Sequence, residues 1–257
     1  MLFTIDVGNT NIVFGVFEGE KLLFTARLQT NTYKMSDEYA VDFFNIMKLH
    51  NCSTISLRGA AISSVVPSLI PVLRDAVKTA FSCDTLVASN RINTGLEMLM
   101  DTPDSVGADL ICGAVAANRK YPDKTCIIFD LGTATTICAV DKDRRYLGGS
   151  IYPGVNVAHK ALAANTAQLP HINLDEPCES VIGKNTVAAM RNGLLYGTAS
   201  FIDGMSLRYR EELSQPDAIV IATGGLSTMI VPYCRTDIVI DNNLILDGLK
   251  TVYEMNN

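Results

Sequence analysis

Short apolar, β-branched runs punctuated by polar turns open the chain. Leu2-Phe3-Thr4-Ile5 and Ile12-Val13-Phe14-Gly15-Val16 predict two strands, about 2–6 and 11–17. A third, about 21–28, is set off by the polar turn Glu18-Gly19-Glu20-Lys21. Ser36 is then expected to cap a helix over about 37–49, with Tyr39, Val41, Phe43, Phe44, Ile46 and Met47 as a broad apolar stripe. A buried strand near 58–63, a helix from about Pro67 to Phe81 and a short strand near 84–88 follow. The opening pattern then returns: strands near 125–130, 134–140 and 144–149, with Asp143-Arg144 as the turn. Helices near 155–165 and 184–212, a strand at 218–222, a Thr223-Gly224-Gly225 turn, a helix, a strand at 237–240 and a final helix complete the chain. Three antiparallel strands followed by alternating helices and strands, twice over, predict a mixed α/β fold.

The repetition extends to chemistry. Ile5-Asp6-Val7-Gly8-Asn9-Thr10 and Phe129-Asp130-Leu131-Gly132-Thr133-Ala134-Thr135 both read strand, Asp-x-Gly-x-Thr, strand. Each describes a hairpin whose turn carries a carboxylate, a glycine and hydroxyls. Glycine lets backbone approach a ligand, turn N–H groups cradle phosphate oxygens, and the Asp offers Mg²⁺ a hard oxygen. One such turn is ordinary hairpin chemistry. Two, one near the start of each half, predict a duplicated nucleotide-binding domain with ATP between the halves. The boundary is expected in the helix Val106–Lys120, giving domains 1–115 and 116–257, since no Ser-, Pro- or Gly-rich linker divides the chain.

Composition narrows the classes. Of 257 residues 48% are hydrophobic and 19% charged, enough for a substantial core, and the net charge of −6 argues against nonspecific nucleic-acid or anionic-membrane binding. The apolar stretch Ala60–Leu73 is broken by Pro67 and Pro71, so no membrane span is expected, and the first residues already form a strand rather than a leader. Seven cysteines without a Cys-x-x-Cys pair fit a reducing cytoplasm. A Walker-type loop is missing, since Gly183-Lys184-Asn185 lacks the upstream Gly and the following Ser or Thr. Neither Gly-x-Gly-x-x-Gly after a strand nor Gly-x-Ser-x-Gly occurs, and His159 and His171 read as surface or core histidines.

Beyond the two hairpins, Gly107-Ala108-Asp109, Gly148-Gly149-Ser150-Ile151-Tyr152-Pro153-Gly154, Gly183-Lys184-Asn185-Thr186 and Thr223-Gly224-Gly225-Leu226 follow in order. Together these motifs resemble, over essentially the whole chain, the type III pantothenate kinases of the acetate-and-sugar-kinase and actin-like superfamily. The resemblance implies two ribonuclease-H-like domains around a nucleotide cleft. It implies phosphorylation of pantothenate by ATP, the first step of coenzyme A synthesis, with Mg²⁺ and a monovalent cation (K⁺ or NH₄⁺) in a homodimer. It places ATP on Asp6, Val7, Gly8, Asn9, Thr10, Asn11, Ile12, Val13 and Thr133, Mg²⁺ on Asp6 and K⁺ on Asp130. It makes Asp109 the base for the primary hydroxyl of pantothenate, with Gly107, Ala108, Leu110 and Thr186 also on the substrate. Gly148–Gly154 would wall the nucleotide and substrate, and Thr223-Gly224-Gly225 would lie toward adenosine.

From the residues alone, Asp109 has a plainer reading: an acidic residue in the first turn of a helix capped by Ser105, stabilising through the helix dipole. Thr186 likewise reads as a cap. The chain also departs from the family pattern, with Leu110 for an Arg, Met100 for a Tyr and Thr102 for an Asn. All three fall on the substrate side. Leu110 either faces the substrate or extends an apolar helix face with Val106, Ala114 and Ala117. Two alternatives therefore stand beside a pantothenate kinase: a kinase of another small hydroxylated molecule, and a nucleotide-binding regulator without turnover.

Overall fold

The computed structural model describes residues 1–52 and 56–257. The chain forms two compact units, 1–116 with 243–257, and 117–242.

In the first unit β1 (Leu2–Val7), β2 (Asn11–Glu18) and β3 (Lys21–Gln29) form an antiparallel meander. After α1 (Ser36–Leu49), β4 (Gly59–Ser64) returns parallel to β1. After α2 (Leu69–Phe81), β5 (Thr85–Val87) lies parallel to β4, giving the order β3-β2-β1-β4-β5. Strand residues alternate between faces. Phe3, Ile5, Ile12, Phe14 and Ile62 point to the face covered by Tyr39, Phe43 and Met47 of α1 and Leu73 and Val77 of α2. Phe3, Phe14 and Phe43 meet edge to face at 5.1–5.4 Å, the geometry favoured by ring quadrupoles.

On the opposite face β4 contributes a row of small residues, Gly59, Ala61 and Ser63. Leu2, Ala61 and Phe17 pack there with Ile111, Cys112 and Val115 of α3 (Ala108–Lys120) and with Leu246, Leu249 and Val252 of α7 (Leu244–Asn256). A methyl at Gly59 would overlap the Tyr253 ring, and one at Gly248 would overlap the Cys112 backbone. Close helix approach therefore depends on those glycines. The return of α7 to the first unit is the part of the division that an even halving of the sequence does not contain. Lys250, buried on α7, fixes it to the β2–β3 turn through Glu20 at 2.7 Å.

The second unit repeats the plan: β7 (Cys126–Leu131), β8 (Ala134–Val140) and β9 (Arg145–Pro153) antiparallel, then β10 (Ile219–Thr223) parallel to β7 and β11 (Ile238–Ile240) parallel to β10. The order β11-β10-β7-β8-β9 matches that of the first sheet strand for strand. Its core gathers Ile127, Phe129 and Ile137 under α4 (Val155–Asn165) and the long α5 (Thr186–Glu212), with α6 (Ser227–Ile230) after β10. Each unit even has a register shift in its second strand, at Val16/Phe17 and at Ala139/Val140. The expected mixed α/β duplication is the observed fold. The two-residue β6 (Glu97–Met98) and a 3₁₀ turn at Pro103–Ser105 were not expected.

Candidate active site

Asp6 ends β1 between Val13 of β2 and Ser63 of β4, and is half-buried. The hairpin beyond it closes by Gly8 N–H donating to Asn11 O at 3.0 Å. Thr30 braces it from β3, donating its hydroxyl to Gly8 O at 2.7 Å and its amide to Thr10 O at 2.9 Å. The Gly8 amide is spent inside the turn, and Val7 and Ile12 bury their side chains in the core. Asn9 and Thr10 form the exposed tip. Gly8 keeps an ordinary negative φ, and a methyl there would press on Asn11 O at 3.1 Å.

Asp109 sits in the first turn of α3, its carboxylate folded back so that Oδ1 accepts the Leu110 amide at 2.8 Å. A methyl at Gly107 would overlap that same Oδ1, so the carboxylate lies directly against Gly107. Burial pushes the Asp109 carboxyl above its ordinary value, against the lowering effect of the Leu110 and Asp109 amides. Desolvation thus outweighs the effect of those two amides. Cys112, one turn further on and fully buried, is pushed far up by burial first and then by the charges of Asp6 and Asp109. Its sulfur therefore marks the place where both carboxylates act on one neighbourhood. Ser105 does not cap α3: Pro103 starts a 3₁₀ turn in which the Ser105 hydroxyl donates to Thr102 O at 2.7 Å, and Gly107 separates that turn from the helix. Ser36 is not a cap either. Met35 holds that position, and its amide donates to Glu38 Oε2 at 2.8 Å.

In the second unit Asp130 ends β7 between Thr136 of β8 and Thr223 of β10. Gly132 N–H donates to Ala134 O at 3.1 Å, so this turn is one residue tighter than the first. Thr133 is exposed at its tip. Two glycines close over it. A methyl at Gly154, which starts α4, would overlap the carbonyl oxygens of Gly132 and Thr133; one at Gly224, where φ is +87°, would overlap Asp130 Oδ1. The Thr223-Gly224-Gly225 turn thus lies against Asp130, a contact that a glycine after a buried strand signals only by its left-handed backbone. Gly132 is different: its φ is ordinary, and a methyl there would make ordinary contacts at 3.6 and 3.7 Å. Among the described residues nothing demands glycine at 132.

Of the residues that depart from the family pattern, Met100 is half-buried, and Thr102 is exposed with its hydroxyl 2.9 Å from that of Ser105. Leu110 is half-buried and, among the described residues, belongs to none of the three hydrophobic clusters, whereas Ala114 and Ala117 are fully buried. Ala108 packs at the edge of the core under α7. Thr186 opens α5, but its cap is Asn185, whose side chain accepts the Ala188 amide at 2.8 Å. His159 is structural: its Nε2 accepts the Ile172 amide at 3.0 Å, beside the His171 ring.

The sequence profile of the type III pantothenate kinases matches residues 2–208. The chain belongs to this family. A type III pantothenate kinase of Exiguobacterium sp. (strain ATCC BAA-1283 / AT1b) is 41% identical over 256 residues, covering 100% of this chain and 99% of the relative. Two more distant solved structures share the fold: a conserved Baf family protein of Campylobacter jejuni (TM-score 0.59, 17% identity, 99% of this chain and 98% of that one) and the ROK hexokinase of Thermus thermophilus (TM-score 0.56, 11% identity, 100% and 99%). At such identities the likeness is one of fold alone. It gives this type III pantothenate kinase family member the fold also seen in that hexokinase, and as a kinase the protein is an enzyme.

Among the described residues no three His, Cys, Asp or Glu side chains cluster into a metal cage. Mg²⁺ in a phosphate site asks for less, one or two carboxylates with waters and phosphate oxygens completing the shell. The donor set at Asp6 fits that demand. It supplies one half-buried carboxylate and, on the neighbouring strand, the fully buried Ser63 hydroxyl with no partner.

Proposed function

We propose that this pantothenate kinase divides its work between the two Asp-Gly turns and Asp109. Pantothenate is phosphorylated by ATP to 4'-phosphopantothenate in coenzyme A synthesis. In the first unit Asp6 holds Mg²⁺, and the exposed tip at Asn9 and Thr10 receives phosphate oxygens. Mg²⁺ would neutralise charge on the phosphates and orient them. Asp109 accepts the proton of the pantothenate primary hydroxyl as its oxygen attacks the γ-phosphorus. The bond from that phosphorus to the β,γ-bridging oxygen breaks, and ADP leaves. Such transfers depend mainly on positioning and charge stabilisation, and a carboxyl raised by desolvation is a better proton acceptor than an ordinary one.

In the second unit, Asp130 with the carbonyls of Gly132 and Thr133 under Gly154 and Gly224 offers hard oxygens to a monovalent cation, K⁺ or NH₄⁺. Thr133 reaches ATP from the exposed tip of that turn. Gly132, free of any internal steric demand, leaves room for close approach by a ligand. On the substrate side Leu110 contributes its amide to Asp109, and Thr186 a hydroxyl not used for capping. A homodimer is supported by large exposed apolar residues on the second unit, among them Ile151, Val181 and Ile182. The seven cysteines form no disulfide, which suits a reducing cytoplasm. No helix among the described residues is long and apolar enough to cross a membrane.

The observation that carries the mechanism is the half-buried Asp109 carboxylate at the start of α3, folded back onto the Leu110 amide and against Gly107. Replacing Asp109 by Asn should leave ATP affinity nearly intact and lower kcat by about 10²-fold or more, the scale of a lost positioned base. A normal kcat in that variant would remove Asp109 from the chemistry.

A further inference from the structure

Among the described residues four buried side-chain oxygens have no hydrogen-bond partner: Ser63 Oγ, Thr85 Oγ1, Thr136 Oγ1 and Ser206 Oγ. Two of the four occupy matching places. Ser63 is the strand partner of Asp6, and Thr136 is the strand partner of Asp130. Register partners on adjacent strands put their side chains on the same face, about 5 Å apart at the backbone. Each aspartate of the doubled motif thus has an unsatisfied hydroxyl beside it.

Ser63 is the stronger case because it is fully buried. It follows Gly59 and Ala61 along the row of small residues facing α3 and α7, where alanine would fit as well as serine. Burying a hydroxyl without a partner costs stability. Packing therefore gives no reason for the oxygen. Asp6, its register partner, lies on the same face of the sheet, the one packed against α3.

We propose that Ser63 is a positioning residue whose hydroxyl donates to the Asp6 carboxylate when the metal nucleotide is bound. The oxygen that is an expense in the ligand-free protein then becomes the group that fixes the metal ligand's orientation. A carboxylate gains most from such a donor when its other oxygen is drawn to a cation, because both contacts restrict the same rotation about χ2. The inference rests on the assignment of Mg²⁺ to Asp6.

The test is Ser63→Ala, a change that removes one atom from a packed site. Ligand-free protein should melt at the same temperature as the parent or higher, since an unpaired buried oxygen is gone. In calorimetric titrations of ADP, affinity without metal should be unchanged. The Mg²⁺ concentration that half-restores tight ADP binding should rise about tenfold or more, the scale of a lost hydrogen bond to a charged group. An unchanged Mg²⁺ requirement overturns the inference, whatever the melting temperature. Asp6→Asn, run alongside, separates the two levels of the argument. If it loses the Mg²⁺ response while Ser63→Ala keeps it, the role of Ser63 alone is refuted; if it keeps the response, the metal assignment of Asp6 falls and the Ser63 inference falls with it.

Discussion

The two Asp-Gly turns share a motif and a place in equivalent sheets, yet their surroundings offer opposite chemistry. The first is braced from behind: Thr30 ties up the carbonyls of Gly8 and Thr10, leaving an exposed tip ahead of Asp6. The second is one residue tighter and covered, with Gly154 against the carbonyls of Gly132 and Thr133 and Gly224 against Asp130 Oδ1. Carbonyls withdrawn into hydrogen bonds favour an anion in front of the turn. Carbonyls gathered beside a carboxylate favour a cation. A duplicated hairpin can therefore diverge in function through its neighbours while its own residues stay nearly the same.

The largest effects should come from the two carboxylates. Asp6→Asn is expected to abolish turnover, and Asp130→Asn to lower it to the residual level that the parent shows when K⁺ is exchanged for a bulky organic cation at constant ionic strength. Steady-state rates in both buffers check this. Equal rates for the parent in the two buffers would remove the cation from the second turn.

The glycines come next. Gly224→Ala combines a left-handed φ of +87° with overlap on Asp130 and should destabilise the protein by about 1–3 kcal/mol. Gly132→Ala should change stability by less than about 1 kcal/mol, because its backbone and surroundings accept a methyl. Its activity should fall all the same if a ligand approaches that backbone. Thermal melts set against kcat/KM for the two variants decide the matter.

Stability against pH gives a smaller and signed effect. The Asp109 carboxyl is raised in the folded protein, so its protonated form is favoured there; the stability this contributes is complete below the ordinary value of 3.8 and is lost as pH rises through the folded value. At neutral pH the charged, desolvated carboxylate is a burden. Asp109→Asn should then melt higher than the parent at pH 7, with the advantage shrinking toward pH 4. A dipole-stabilising Asp109 would give a lower melt instead.

Smallest is Leu110→Arg, which should lower KM for pantothenate and leave KM for ATP unchanged. Leu110 is half-buried outside the hydrophobic clusters, and any residue there keeps the amide that Asp109 accepts, so the variant should fold. An unchanged pantothenate KM would show that position 110 does not face the substrate.

The sheets were legible because β-branched runs between polar turns determine strands locally, and β1 to β3 lie within a residue or two of expectation. Helix starts were less so. Ser105 and Ser36 have the right chemistry for caps, but Pro103 and Gly107 in one case and the Glu38 carboxylate in the other decided the geometry. The motifs pointed to Asp6, Asp109 and Asp130 as residues, and the resemblance to the family suggested the roles proposed for them. The environment of each was not legible, since the covering of Asp130 by Gly224, the folding of Asp109 onto Gly107 and the solitude of Ser63 arise from strands and loops distant in sequence. The same holds for α7, whose glycine at 248 has meaning only beside Cys112.

The division between the turns is tested most directly by measuring ADP affinity calorimetrically while Mg²⁺ and K⁺ are titrated separately, in Asp6→Asn and Asp130→Asn side by side. The account predicts a crossed result: the Asp6 variant loses the Mg²⁺ response and keeps the K⁺ response, and the Asp130 variant does the reverse. Loss of the same ion response in both variants would contradict it.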